Sequence, residues 1–289
     1  MTKKIFVAVA ISIFSTQIET ATFGDDLFSA ASFRKHVAKL KLRMPTGDFK
    51  IVIQKPFVVI GDDSKEIVER WASGTIQWTI DRIKKQYFSK EPEAIIDIWL
   101  FKNKDSYQRN CEHIIGYKPH TPYGFYSSTK RAIIMNISTG GGTLVHEIVH
   151  PYIESNFPEC PAWFNEGLAS LYEQCRDNDG KIWGSTNWRL RNLQLQIESD
   201  RLPSLEALCK TTAEEFYNSQ QGDNYAQARY LCFYLQEKNL LEKFYRSFNK
   251  NVRHDSSGLQ ALKDVLQSND LKKFDDHWRA FCLKLRFPE

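Results

Sequence analysis

Apolar positions recur in two rhythms along this chain, and the rhythm changes once. In the first half the runs are short and continuous. "FKIVIQKPFVVIGD" (Phe49–Asp62) predicts two short strands broken at Lys55-Pro56, and "AIIDIWLFKN" (Ala94–Asn103) predicts a third. "YGFYSSTKRAIIMNIS" (Tyr123–Ser138) predicts a hairpin that turns near Ser127–Lys130, with its stronger strand over Ala132–Ile137. Helical spacing interrupts these runs: a partly helical Asp25–Leu42, then Ile67, Val68, Trp71, Ile76, Ile80 and Ile83 within Lys65–Tyr87, and a short helix over Lys104–Ile115. Asp63 or Ser64 can cap the Lys65–Tyr87 helix, and Gly74 is its weak point. After the glycines at 140–142 the pattern becomes helical. It predicts helices over Tyr225–Gln236, Leu240–Phe248, Leu259–Gln267 and Leu271–Leu285, with a turn at Asp177–Gly180. Strands first and helices later is α+β. The expected layout is a small, mostly antiparallel N-terminal sheet with helices (23–139), a central helix pair (140–176) and a helical C-terminal part (177–289), all in one domain over 23–289.

The first residues break both rhythms. Lys3 and Lys4 precede an apolar run from Ile5 to Phe14, then small and polar residues follow. This is the layout of a secretory signal peptide, expected over 1–22 and cleaved between Ser15 and Thr22. It predicts export, to a periplasmic or extracellular location. Elsewhere no apolar stretch is long enough to span a bilayer, so no stable membrane insertion is expected beyond that segment. Composition narrows the partners. The 289 residues are 42% hydrophobic with net charge +4 and no dense Lys/Arg run, so a core can form and no nucleic acid partner is expected. Six cysteines, at 111, 160, 175, 209, 232 and 282, form no C-x-x-C pair. In an exported chain Cys160 and Cys175 could pair; buried free thiols are the equal alternative.

The candidate chemistry lies where the rhythm changes. "LVHEIVHPYIESNFPECPAWFNEGLASLYE" (Leu144–Glu173) sets His146 and His150 four apart, one turn along a single helix face. Neutral imidazoles so placed suit a first-row metal, and Glu147 beside the first of them completes H-E-x-x-H. Catalytic zinc expects a third protein ligand from another element. Glu166 is the natural candidate, on a second helix after a loop that holds Pro158 and Pro161. The bland alternative is an amphipathic core helix whose histidines are satisfied by hydrogen bonds. Pro151, next to His150, predicts a kink or early tightening. Glu173, seven residues past Glu166 and so on the same helix face, meets either the free ring nitrogen of a ligand histidine or solvent.

"HEIVH" followed by "WFNEGLASLYE" resembles the gluzincin metallopeptidases, the peptidase-MA-like clan that includes thermolysin and the zinc aminopeptidases. Trp163, Asn165, Glu166, Gly167 and Ala169 match the aminopeptidase pattern W-x-N-E-G-x-A. The wider layout, over about residues 49–285, is similar to small exported members of that clan. The resemblance implies one Zn²⁺ held by His146, His150 and Glu166, Glu147 as general base, and Tyr225 as a hydrogen-bond donor to the developing oxyanion. The implied function is a zinc metallopeptidase acting on a peptide or protein; the alternative is a catalytically degenerate exported zinc- or peptide-binding protein. Two features depart from the clan. The spacing from His150 to Glu166 is shorter than in thermolysin, and no G-x-M-E-N element precedes His146, so aminopeptidase specificity is not implied. The strand Ala132–Ile137 either offers its edge to an extended peptide or is a plain core strand, with nothing in the sequence to favour one.

Overall fold

The computed structural model describes residues 27–218 and 223–287. The expected signal segment, 1–22, lies outside these residues. Helix α1 (Ala30–Lys41) opens the described chain, capped by Ser29. Strands β1 (Lys50–Gln54) and β2 (Phe57–Gly61) form a hairpin whose two-residue turn is Lys55-Pro56, the predicted break. Ser64 caps α2 (Lys65–Arg70), which runs through a π-helical stretch (Trp71–Ile76) into α3 (Gln77–Gln86). The wide turn falls around Gly74, where the helix has least to hold it regular. Then come β3 (Ile96–Phe101), α4 (Lys104–Ile115, ended by left-handed Gly116), β4 (Gly124–Ser127) and β5 (Ala132–Asn136).

These strands form one sheet in the order β1-β2-β3-β5-β4. The sheet is mixed rather than mostly antiparallel: β2/β3 and β3/β5 pair parallel, while β1/β2 and β4/β5 pair antiparallel. The reason is the connections. Helices α2–α3 and α4 carry the chain over before the next central strand, and a crossover of that kind delivers a parallel neighbour. Both faces are covered. Val58, Ile60, Trp99, Phe101 and Ile134 pack with Phe33 and Leu40 of α1 and Tyr107 and Cys111 of α4. Val59, Ile98, Leu100, Ile133 and Met135 face the larger core that includes α2–α3 and the helices downstream. Burial on both faces explains why these strands read as continuous apolar runs. It also decides between the two readings of Ala132–Ile137: β5 is an interior core strand, not a peptide-receiving edge, and the free edge beside it belongs to β4.

Helices α5 (Gly141–Asn156) and α6 (Ala162–Leu171) form the central pair. α5 passes through Pro151 without interruption and continues five residues beyond it, so no early tightening occurs. A small hairpin, β6 (Cys175–Asn178) and β7 (Lys181–Gly184), follows, its turn at the predicted place. The rest is helical: α7 (Arg189–Glu198), α8 (Leu205–Cys209), α9 (Ala213–Tyr217), α10 (Asp223–Glu237), α11 (Leu241–Asn251), α12 (Leu259–Leu266) and α13 (Leu271–Lys284). One cluster of buried side chains runs from Phe57 to Cys282 and joins the sheet half to the helical half. All six cysteines are free, and Cys160 and Cys175 are not joined. No helix among the described residues is long and apolar enough to cross a membrane.

Candidate metal centre

The site is built where α5 and α6 meet. α5 is apolar almost all round, because it lies between the sheet and the helical half; His146, Glu147, His150 and Ser155 are its buried polar interruptions. The four-residue spacing stacks the two imidazoles on one face, ring centroids 4.9 Å apart and steeply tilted. α6 brings the carboxylate. Its sequence is explained residue by residue. Trp163 fills the core and donates from Nε1 to the Ser257 carbonyl at 3.1 Å. Asn165 Oδ1 holds His150 Nδ1 at 2.9 Å. Gly167 is required because a Cβ there would stand 2.9 Å from the Ala228 carbonyl of α10. That backbone contact seats α6 on α10 and fixes where Glu166 emerges.

His146 Nε2 lies 3.3 Å from Glu166 Oε2, and His150 Nε2 lies 3.9 Å from the same oxygen. One ligand atom from each of the three residues lies within 4.8 Å of the others, and all three residues are at least nine-tenths buried. Ligand bonds of about 2.0–2.2 Å to a tetrahedral ion separate neighbouring donors by little more than 3 Å, so the donor set fits such an ion with modest closing. Three ionisable groups buried together without an ion would carry a high desolvation cost. The structure brings together the three residues that the sequence nominated as ligands.

Each ligand is itself held. Tyr217, the last residue of α9, donates its hydroxyl to Glu166 Oε1 at 2.9 Å, leaving Oε2 for the histidine pair. Glu173 lies beyond the end of α6, in the turn after Leu171, so it does not continue the helix face as the sequence suggested. It still reaches His146, with Oε1 3.5 Å from Nδ1; that nitrogen has no well-formed hydrogen bond. Arg189 grips Glu173 with two bonds, Nε to Oε2 at 3.0 Å and a terminal nitrogen to Oε1 at 2.8 Å, and Asn187 adds a third. These partners set ring orientation and ligand basicity around a metal.

The electrostatics follow from this packing. Burial alone would lower the His146 pKa, but its contacts with Glu166 and Glu173 and the charge of Glu147 outweigh burial and lift it to about 10. Burial would raise Glu166; the charge of His150, the contact with His146 and the Tyr217 hydroxyl overcome that and hold it at about 2. Glu173 is likewise held at about 2, against burial, by His146 and Arg189. The cluster therefore keeps a proton on imidazole that a divalent ion would displace.

Glu147 sits beside the ligands, its Oε2 3.8 Å from His150 Nε2. The same oxygen accepts the backbone N–H of Tyr126 on β4 at 2.8 Å. Tyr225, at the start of α10, lines the same cleft, and its hydroxyl has no protein hydrogen-bond partner among the described residues. Burial and the charge of Glu166 push its pKa up, so the phenol stays protonated as a donor. The cleft has a volume of about 1130 Å³ and runs between β4 and the helical half.

Sequence reasoning passed over Tyr217 and Arg189. Neither lies in a motif-like stretch; only their types, a phenol and a guanidinium, were there to notice, and Tyr217 is 51 residues from its partner. Residues 141–256, which hold all three candidate ligands, Glu147, Glu173, Arg189, Tyr217 and Tyr225, match the family described as "Protein of unknown function (DUF1570)". No curated protein matches the chain.

Proposed function

We propose that this protein is a zinc-dependent metallopeptidase that uses Glu147 as general base. The observation that carries the reading is the convergence of His146 Nε2, His150 Nε2 and Glu166 Oε2 with a carboxylate, Glu147, one residue from the first ligand and open to the cleft. A zinc ion held by these three residues alone would keep a position for water, as catalytic rather than structural zinc does. A bound zinc ion would supply Lewis-acid polarisation of water and of the substrate carbonyl.

The chain's own residues do the rest. Glu147 takes a proton from the attacking water and returns it to the leaving amine. Its Oε2 is anchored by the Tyr126 amide, while Oε1, which has no hydrogen-bond partner among the described residues, serves as the proton acceptor. Tyr225 donates to the oxygen on which charge develops. The edge of β4, lined up along the cleft, receives an extended peptide by strand addition. In this reading the substrate is a peptide or protein, and an N-terminal signal segment exports the enzyme.

The test is elemental analysis of purified protein together with digestion of a peptide library, with and without chelator, by wild type and Glu147→Gln. The expected result is one zinc per chain in both proteins and cleavage only by wild type, with a loss of at least about 100-fold in the variant. A Glu147→Gln protein that cleaves normally would refute the role of the base. Wild type that holds zinc and binds peptides but cleaves none would favour the degenerate binding protein.

A further inference from the structure

The exposed aromatic rings are not scattered. Among the described residues five stand out in water: Tyr117, Tyr123, Trp188, Tyr217 and Phe287. The first four, each 51–56% exposed, all line the metal cleft. They come from separate places in the chain. Tyr117 and Tyr123 flank the loop that leads from α4 into β4; Trp188 immediately precedes α7; Tyr217 ends α9. Two rings thus belong to the sheet half and two to the helical half, and the cleft is where those halves meet.

Half-exposed rings gathered at one site are a poor arrangement in water and a good one against a ligand, because covering them removes apolar surface from solvent. The helical-half pair is also held in place. The Arg189 guanidinium lies 5.3 Å over Trp188, and Tyr217 is fixed through its hydroxyl on Glu166 and its ring contact with Phe216 at 5.5 Å. Rings fixed before binding cost little to order. Charge points the same way. The cleft carries four carboxylates, Glu147, Glu154, Glu166 and Glu173, and its arginine is already paired to Glu173. Away from the ion, acidic side chains meet a lining that is mostly negative.

We infer that the cleft selects extended peptides with bulky apolar or aromatic side chains on both sides of the bond to be cleaved, and disfavours acidic ones, through the ring rim of Tyr117, Tyr123, Trp188 and Tyr217. This rests on the peptidase reading above and names its substrate class. The outer edge of β4, whose Tyr126 amide is held by Glu147, continues directly from Tyr123, so a peptide lying along that edge runs beside the Tyr117 and Tyr123 rings and across the cleft from Trp188 and Tyr217. Flat sugar faces also stack on such rings, and the experiment separates the two.

The test measures binding rather than cleavage. Zinc-loaded Glu147→Gln protein is titrated calorimetrically with four octapeptides of one backbone pattern. Their central positions carry Phe and Leu, or Ser and Gln, or Asp, or serine bearing a single N-acetylgalactosamine. The expected result is binding of the Phe/Leu peptide at least about tenfold tighter than the Ser/Gln peptide, with the Asp peptide weakest. Trp188→Ala and Tyr123→Ala are each expected to erase most of that preference without lowering the melting temperature. Equal affinities, no binding by any peptide, a preference unchanged in both ring variants, or tightest binding of the sugar-bearing peptide would each overturn the inference. Because the readout uses a variant expected not to cleave, its failure is distinct from failure of the peptidase reading, which wild-type digestion decides.

Discussion

Replacing Tyr217 by phenylalanine removes one oxygen and little else. The ring stays against Phe216 and Tyr225, so folding should be intact, but Glu166 Oε1 loses the hydroxyl that holds it at 2.9 Å. A hydrogen bond to a charged group contributes about 1.5–3 kcal/mol, and loss of a partner behind a metal ligand typically costs 10- to 100-fold in affinity. Tyr217 is half exposed, so water can replace part of what is lost, and the lower end of the range applies. That is about 1.4 kcal/mol, or a tenfold weaker zinc dissociation constant. Competition with a chromogenic chelator measures it directly, and Tyr225→Phe serves as the control, since its hydroxyl does not touch Glu166. A folded Tyr217→Phe protein with wild-type zinc affinity, or a larger loss in Tyr225→Phe, would show that the hydroxyl does not position the ligand.

Three further outcomes follow from the same geometry. The His146 pKa is raised to about 10 without a metal, so its proton competes with the ion at every pH below that value. Zinc affinity should weaken as pH falls, by up to about tenfold per unit for that proton, in titrations between pH 9 and 6; a pH-independent affinity would contradict the ligand role. Arg189→Ala leaves Glu173 buried without its cation and should lower stability by about 3 kcal/mol, visible as a lower melting temperature even in metal-free protein; an unchanged melting curve would mean the ion pair is dispensable. Gly142→Ala would place a Cβ 2.2 Å from the Glu173 carbonyl oxygen. The backbone must shift, and a loss of about 2 kcal/mol together with weaker zinc binding is expected in paired melting and chelator assays; a neutral variant would show that α5 has room at that point.

The centre was legible in the sequence because its residues are close along the chain and fixed by local helix geometry: His146 and His150 by the turn, Glu166 by a second helix nearby. The apolar runs of β2, β3 and β5 were equally plain. What the sequence hid depends on distance or on order in space. The run over Ala132–Asn136 is buried on both sides, and that continuous apolar character was itself the sign of an interior strand; it was read for its strength, not for its neighbours. Parallel pairing came from crossovers, which no single strand records. β6 and β7 were missed because "CRDN" and "KIWG" are too short and too polar to show alternation. Tyr217 meets its partner across 51 residues, with no local pattern to announce it.

The tether between Glu147 and β4 is made by a main-chain amide, not by the phenol of Tyr126. Side-chain drift at position 126 therefore leaves the tether intact; among the twenty residues only proline lacks the hydrogen it needs. The chain can alter the surface it offers to a partner at that position while its proton carrier stays moored.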